Sequence, residues 1–291
     1  MGASKQIEVK IINAFVDNGK GGNPAGVVLN ADDLTSQEKL KIASAVGLSE
    51  TAFVSSSKKA DFKLDFFTPT RQIAHCGHAT IATFSYLLQM GKIKSSTSSK
   101  ETIDGEREIR LQGDLACMEQ LPPRYSFIDS EKVLASVRLK KNELLENASI
   151  EIVNTGNSFA IIPVRDQTVL KSINPDFTTI NQLSEEYDLI GYYIFCTDAN
   201  SSARDATTRM FAPRYGIEEE SATGMAAGPL ACYLYDKLGH KKDKFFIEQG
   251  WHMKNPSPSL ITVNLTMENG QIKKVMAGGK GITMNTITVS V

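Results

Sequence analysis

The chain has 291 residues, 41% of them hydrophobic and 22% charged, with 32 lysines and arginines against 33 acidic residues. That length allows one large or two medium domains, and the composition is that of a soluble globular protein. A net charge of −1, with no basic stripe or tail, argues against nucleic acid or an anionic membrane as the main partner.

No stretch is long and apolar enough to span a bilayer, and MGASKQIEVKI has no apolar signal core, so a cytoplasmic location is expected. Gly2 with Lys5 matches a myristoylation site only loosely, because position 6 is Gln6. Cys76, Cys117, Cys196 and Cys232 are scattered in apolar surroundings, as expected for reduced, buried thiols.

Residues 7–15, IEVKIINAF, read as a first strand, and Gly21-Gly22-Asn23-Pro24 turns the chain into a second, AGVVLN. Asp33 or Thr35 could cap a helix running to Val46, with Gly47 stopping it. LSETAFV then suggests a strand with Glu50 at its start. Asp61 to Phe67 alternates apolar residues against Lys63 and Asp65, the pattern of a half-buried strand. Gln72 to Gly91 is twenty residues without a formal charge, and from Gly77 its apolar residues fall at helical spacing. A helix apolar all round belongs inside a fold. Its first backbone N–H groups and its dipole make an anion site beside His78.

Between Lys92 and Arg107 the polar run containing SSTSS reads as an excursion, after which strands resume at EIRLQ and LACMEQL. Pro122-Pro123 is the candidate linker between halves. Beyond it come a helix near 131–137, strands at SIEIVN and FAIIPV, short helices near Thr168 and Thr179, and the strand YYIFCTD. Gly224 then opens a second uncharged helical stretch. Gly77, Ala79, Tyr86 and Leu87 match Gly224, Ala226, Tyr233 and Leu234 at one offset, 147, the difference between 224 and 77. Phe67-Thr68-Pro69 and Phe211-Ala212-Pro213 precede the two helices. An internal duplication explains this, though Pro229 lies beyond the first turn, so that helix loses a bond there or begins later. Further strands are expected at 245–248, 260–265 and 272–275, with the last run, ITMNTITVSV, returning to the first half. The fold class is α+β: an N-terminal lobe over 1–121 completed by 282–291, and a C-terminal lobe over 124–281.

Phosphate-loop and serine-hydrolase signatures are absent from the sequence. His75-Cys76-Gly77-His78 superficially suggests a metal, but only His240 and His252 remain, in different surroundings, so no metal is expected. Glu50, among small and apolar neighbours, could be a desolvated acid/base with a raised pKa, or a glutamate that merely caps or pairs. His78 could orient substrate or move protons, or donate to a core carbonyl. Cys76 stands where a helix start stabilises thiolates, although a single buried thiol accounts for it as well. Glu220, Thr223 and Gly224 repeat the arrangement in the second half.

GNPAGVVL, SETAF, the CGHAT helix start and the later RMFAP…G-I-E…TG run resemble the PhzF family of phenazine-biosynthesis-like isomerases, over most of the chain and in the family's order. The resemblance implies the diaminopimelate epimerase fold: two similar lobes, each a curled, mostly antiparallel sheet round a central helix, with the site in the cleft where the two helix starts face one another. It implies that Glu50 is the catalytic glutamate and His78 the site histidine. Gly77 and Gly224 would supply amides to a substrate carboxylate, with Asn23, Glu220, Thr223 and Met225 also binding it. It further implies a homodimer, needing no metal or organic cofactor. Related epimerases use two facing cysteines; Cys76 aligns with one, but the facing position falls on Ser221. Where the family commonly has E-D-P-x-T-G-S, this chain has Glu219-Glu220-Ser221-Ala222-Thr223-Gly224-Met225. A longer carboxylate and a thioether change the pocket and remove a donor, so the phenazine intermediate is not safely implied as substrate, and the expectation is an isomerase acting on a small, possibly cyclic carboxylate. The alternative is a non-catalytic small-molecule-binding or interaction protein that kept the fold.

Overall fold

A computed structural model describes residues 5–291, so Gly2 lies outside the described residues. The chain divides into a first unit, which runs to Glu119 and includes Gly278–Val291, and a second unit, Gln120–Ala277.

In the first unit β1 (Gln6–Ala14) pairs antiparallel with β2 (Asn23–Val28). Helix α1 (Ser36–Val46) leads to β3 (Thr51–Ser55), which lies parallel to β2. Thr35 and Glu38 form a capping box at the start of α1, and Gly47 ends it with φ 70°, a left-handed conformation that glycine adopts without strain. β4 (Phe62–Phe67) returns antiparallel to β3 and pairs with the short β5 (Gln72–Ile73). The uncharged stretch becomes α2 (Gly77–Gln89), buried from Gly77 through Leu87. It leads to β6 (Thr97–Thr102), parallel to β4, followed by the antiparallel β7 (Gly105–Gln112) and β8 (Leu115–Gln120).

Two local expectations change. From Leu64 onward β4 is buried on both faces rather than one, because Asp65 turns inward to meet Lys39 of α1 at 2.6 Å. The serine-rich run is a strand, not an excursion: Ser98, Lys100 and Thr102 alternate inward and find polar partners there, Asp61 for Ser98 and the Gly105 carbonyl for Thr102. Apolar periodicity cannot register a strand whose inward residues are polar.

The second unit repeats this connectivity. β9 (Arg124–Ser126) and β10 (Glu151–Asn154) pair antiparallel around α3 (Ser130–Ser136), and β11 (Ser158–Pro163) is antiparallel to β10. Helices α4 (Gln167–Ser172) and α5 (Phe177–Glu186) lead to β12 (Gly191–Cys196), parallel to β11. β13 (Ala206–Ala212) returns antiparallel and pairs with β14 (Ile217–Glu220). The buried α6 (Gly224–Asp236) precedes β15 (Lys244–Gln249), parallel to β13, and then β16 (Ser259–Glu268) and β17 (Gln271–Gly279). β18 (Ile282–Ser290) pairs antiparallel with β1.

The order of pairing is antiparallel, parallel, antiparallel, then parallel across the buried helix, then antiparallel. It holds from β1 to β7 and again from β10 to β16. Both buried helices have thirteen residues. β6 and β15 keep the same 147 offset, the difference between 244 and 97. Each half also yields its closing strand to the other unit, β9 after β8 and β18 after β17. α6 runs through Pro229, so the Met225 carbonyl has no donor four residues on. Gln120 donates to the Gly224 carbonyl at 2.9 Å, and Gly228 makes room for it, since a Cβ there would lie 2.0 Å from the Gln120 Oε1.

All four cysteines are free and buried. Among the described residues no helix is long and apolar enough to cross a membrane.

Candidate active site

Glu50 immediately precedes β3, and its carbonyl accepts from the Gly26 N–H of β2 at 3.0 Å, which fixes its backbone. Its Oε2 lies 3.1 Å from Nε2 of His78, with side chains 13% and 5% exposed respectively. Ser49 Oγ approaches the same nitrogen at 3.5 Å. The other ring nitrogen, Nδ1, faces Cys76 Sγ at 3.6 Å. The imidazole therefore stands between a carboxylate and a thiol, one nitrogen to each.

Burial pushes the Glu50 carboxyl up, but the hydrogen bond and charge of His78, with a hydrogen bond from Ser49, outweigh it and leave the group below its ordinary value. The raised pKa expected from burial alone is thus reversed by the histidine beside it. Burial pushes the Cys76 thiol up, against the opposing charge of His78. At the start of α2 burial thus works against the thiolate that a helix dipole would favour, in keeping with a buried thiol.

Glu50, Cys76 and His78 offer ligand atoms within 4.8 Å of one another. A metal needs lone pairs that converge on one point. Here the imidazole presents different nitrogens to its two neighbours, so the ring would have to turn to serve both through one ion. This is also not the set that the sequence suggested, because Nδ1 of His75 faces Lys100 instead.

Asn23 opens β2, 5% exposed, on the strand that flanks β3. Gly77 is the first residue of α2, and Cys76 makes no side-chain hydrogen bond to cap it. In the second unit Thr223 occupies the same place before α6, and it too gives the helix no cap. Its Oγ1 donates to Glu220 Oε2 at 2.7 Å instead. α1, α3, α4 and α5 are all capped by a side chain: Thr35, Asp129, Asp166 and Asp176. Such a cap is typically worth about 1 kcal/mol. The two buried helices lack such a cap, an arrangement in which a helix start can receive an anion.

The group around Thr223 depends on a residue that the sequence did not flag. Gln249, wholly buried on β15, accepts from the Thr223 N–H at 3.0 Å and from the Tyr193 hydroxyl at 2.9 Å. Its Nε2 donates to the Glu220 carbonyl at 2.7 Å and to Thr223 Oγ1 at 3.1 Å. One amide side chain thereby holds both Glu220 and Thr223. Met225 is engaged through its sulfur, which accepts from Asn157 at 3.5 Å. Glu219 is occupied elsewhere, in a two-point pair with Arg209, each bond 2.8 Å. The structure thus gathers Glu50, Cys76 and His78 in one unit, and Glu220 and Thr223, with Gly224 next in sequence, around Gln249 in the other.

A family model described as phenazine biosynthesis-like protein, PhzC-PhzF, matches residues 12–286. An uncharacterized isomerase of Clostridium acetobutylicum is 37% identical over 241 residues, 77% of each chain. An uncharacterized isomerase, YddE, of Escherichia coli K12 is 26% identical over 95% of this chain and 96% of its own. The crystal structure of a phenazine biosynthesis protein of the PhzF family from Bacillus anthracis superposes with a TM-score of 0.88 at 26% identity, covering 99% of this chain and 100% of that one.

Proposed function

The chain belongs to the phenazine biosynthesis-like family of isomerases, and from that premise we propose that it shifts a proton within a small, possibly cyclic, carboxylate substrate without a cofactor. The observation that supports this most directly is Glu50 Oε2 at 3.1 Å from His78 Nε2, beside the uncapped start of α2. Glu50 takes a proton from an activated carbon of the substrate, the C–H electron pair moves into the adjoining unsaturated system, and the proton returns at a second carbon on the same face. His78 holds the carboxylate in its basic form and in place. The amides that open at Gly77 accept the negative charge that develops, where fixed dipoles cost no reorganisation. Asn23 of the first unit, and Thr223, Gly224, Glu220 and Met225 of the second, are each substrate-binding residues in this reading. The last two set which carboxylate is accepted. The same reading includes a homodimer in the cytoplasm, which sedimentation and cell fractionation would check.

The test is to incubate the protein with a panel of cyclic amino and hydroxy acids in D₂O and to follow deuterium uptake and double-bond position. A panel with no exchange would favour a binding protein that retained the fold.

Two further results are expected. Because Glu50 titrates below its ordinary 4.5, the base form survives acidification, and kcat/KM should fall only as pH drops through that lowered value. The same depression stabilises the fold above the ordinary value and is lost over the same acid range. An acid limb centred near neutrality would assign the base to another group. Chelation should leave exchange unchanged; elemental analysis showing one tightly held zinc per chain, lost together with activity, would overturn the metal-free scheme.

A further inference from the structure

Beneath the start of α2 lies a charge that the proposed reaction does not use. Lys100, on β6, has no exposed surface, and no carboxylate among the described residues pairs with it. Its Nζ donates to Thr80 Oγ1 at 2.7 Å, approaches Nδ1 of His75 at 3.2 Å and stands 5.1 Å from the centre of the Phe66 ring. Thr80 in turn donates to the Cys76 carbonyl at 2.6 Å. Lys100 therefore grips the turn on both sides, at His75 before the helix and at Thr80 within its first turn. Cys76, Gly77 and His78 lie between those two anchors. Taking an ammonium out of water without a counter-charge is costly, and an apolar side chain of the same length would cost the fold far less.

We propose that Lys100 is a positioning residue for this site: it locks the turn on both sides so that His78 meets Glu50. This rests on the proton-shift reading given above. Burial brings the Lys100 ammonium down to about 7, with the charge of Arg107 lowering it further and that of Asp104 opposing. Burial, Lys100 and Arg107 hold His75 down to about 3, so its imidazole is neutral and free to accept at Nδ1.

Lys100→Met keeps length and removes both the bonds and the charge. The first readout needs no substrate: amide and imidazole resonances of residues 75–80 are compared in the folded wild type and variant, with 223–226 as the internal control. Shifts confined to the first set are expected. Unchanged resonances there, whatever the melting temperature, would overturn the assignment, because a side chain that only fills space lowers stability without moving the turn. The second readout uses any carboxylate that the wild type exchanges in D₂O, on which Lys100→Met should lose about 10–100-fold in kcat/KM, the scale of a displaced catalytic group. Equal exchange by variant and wild type would also sink the proposal. If the wild type exchanges nothing, the proton-shift reading fails by itself, and the resonances alone decide whether Lys100 sets the turn. Should Lys100→Met not fold, Thr80→Val removes the hydroxyl that links Lys100 to Cys76 and must displace the same resonances.

Discussion

Glu50→Gln is expected to give a folded protein that no longer exchanges substrate protons with D₂O. Glutamine keeps the size of the side chain beside His78, at the 3.1 Å contact, but it cannot take up a proton. Loss of an acid/base group is typically worth about 10²–10⁴ in rate. Cys76→Ser should stay near wild type, because the thiol is buried, burial pushes its pKa up, and serine can keep the contact with His78 Nδ1 at 3.6 Å. The reverse outcome, exchange stopped by Cys76→Ser and unaffected by Glu50→Gln, would make the thiol the base. Exchange untouched by either change would mean that the chemistry lies elsewhere.

Glu50, Gly77 and His78 are legible in the sequence because each sits at a boundary that local chemistry marks: a strand start, a helix opened by glycine, and a first-turn histidine. The duplication is legible for a related reason, since buried helices need small and apolar residues at fixed spacing, and a copied helix keeps them in register. What sequence cannot supply is the partner across the fold. Lys100 stands in a serine-rich run that looks solvated, and only its contact with Thr80 and His75 gives it a role. Gln249 ends the strand KFFIEQ without any motif, yet it orders Glu220 and Thr223. The direction of the Glu50 shift is hidden for the same reason: burial alone predicts a rise, and it is His78, twenty-eight positions on (the difference between 78 and 50), that reverses it.

Partner-dependence separates two adjacent glutamates that sequence treats alike, and their variants should fail in different ways. Glu219 and Arg209, with side chains 15% and 9% exposed, form a two-point ion pair, and Nη1 of Arg209 also donates to the Ile173 carbonyl at 3.0 Å. Glu219→Leu would strand that guanidinium, which also packs 4.9 Å from the Phe211 ring, in a largely buried site without its counter-charge. Removing one partner of such a pair typically costs about 3–5 kcal/mol. Glu219→Leu should therefore lower the unfolding midpoint in urea sharply, with the slope of the transition unchanged. Glu220 makes a lighter contact, accepting from Thr223 Oγ1 at 2.7 Å, and its backbone is already held by Gln249. Glu220→Gln keeps an acceptor for that hydroxyl, so its stability should stay within about 1 kcal/mol of wild type, the scale of one hydrogen bond. Its effect should appear instead in KM for the carboxylate that the wild type exchanges. A Glu220→Gln protein as unstable as Glu219→Leu would make Glu220 a structural residue and remove it from the substrate-binding set. A Glu219→Leu protein of wild-type stability would show that the Arg209 pair contributes little to the fold, and that Glu219 is held there for another purpose.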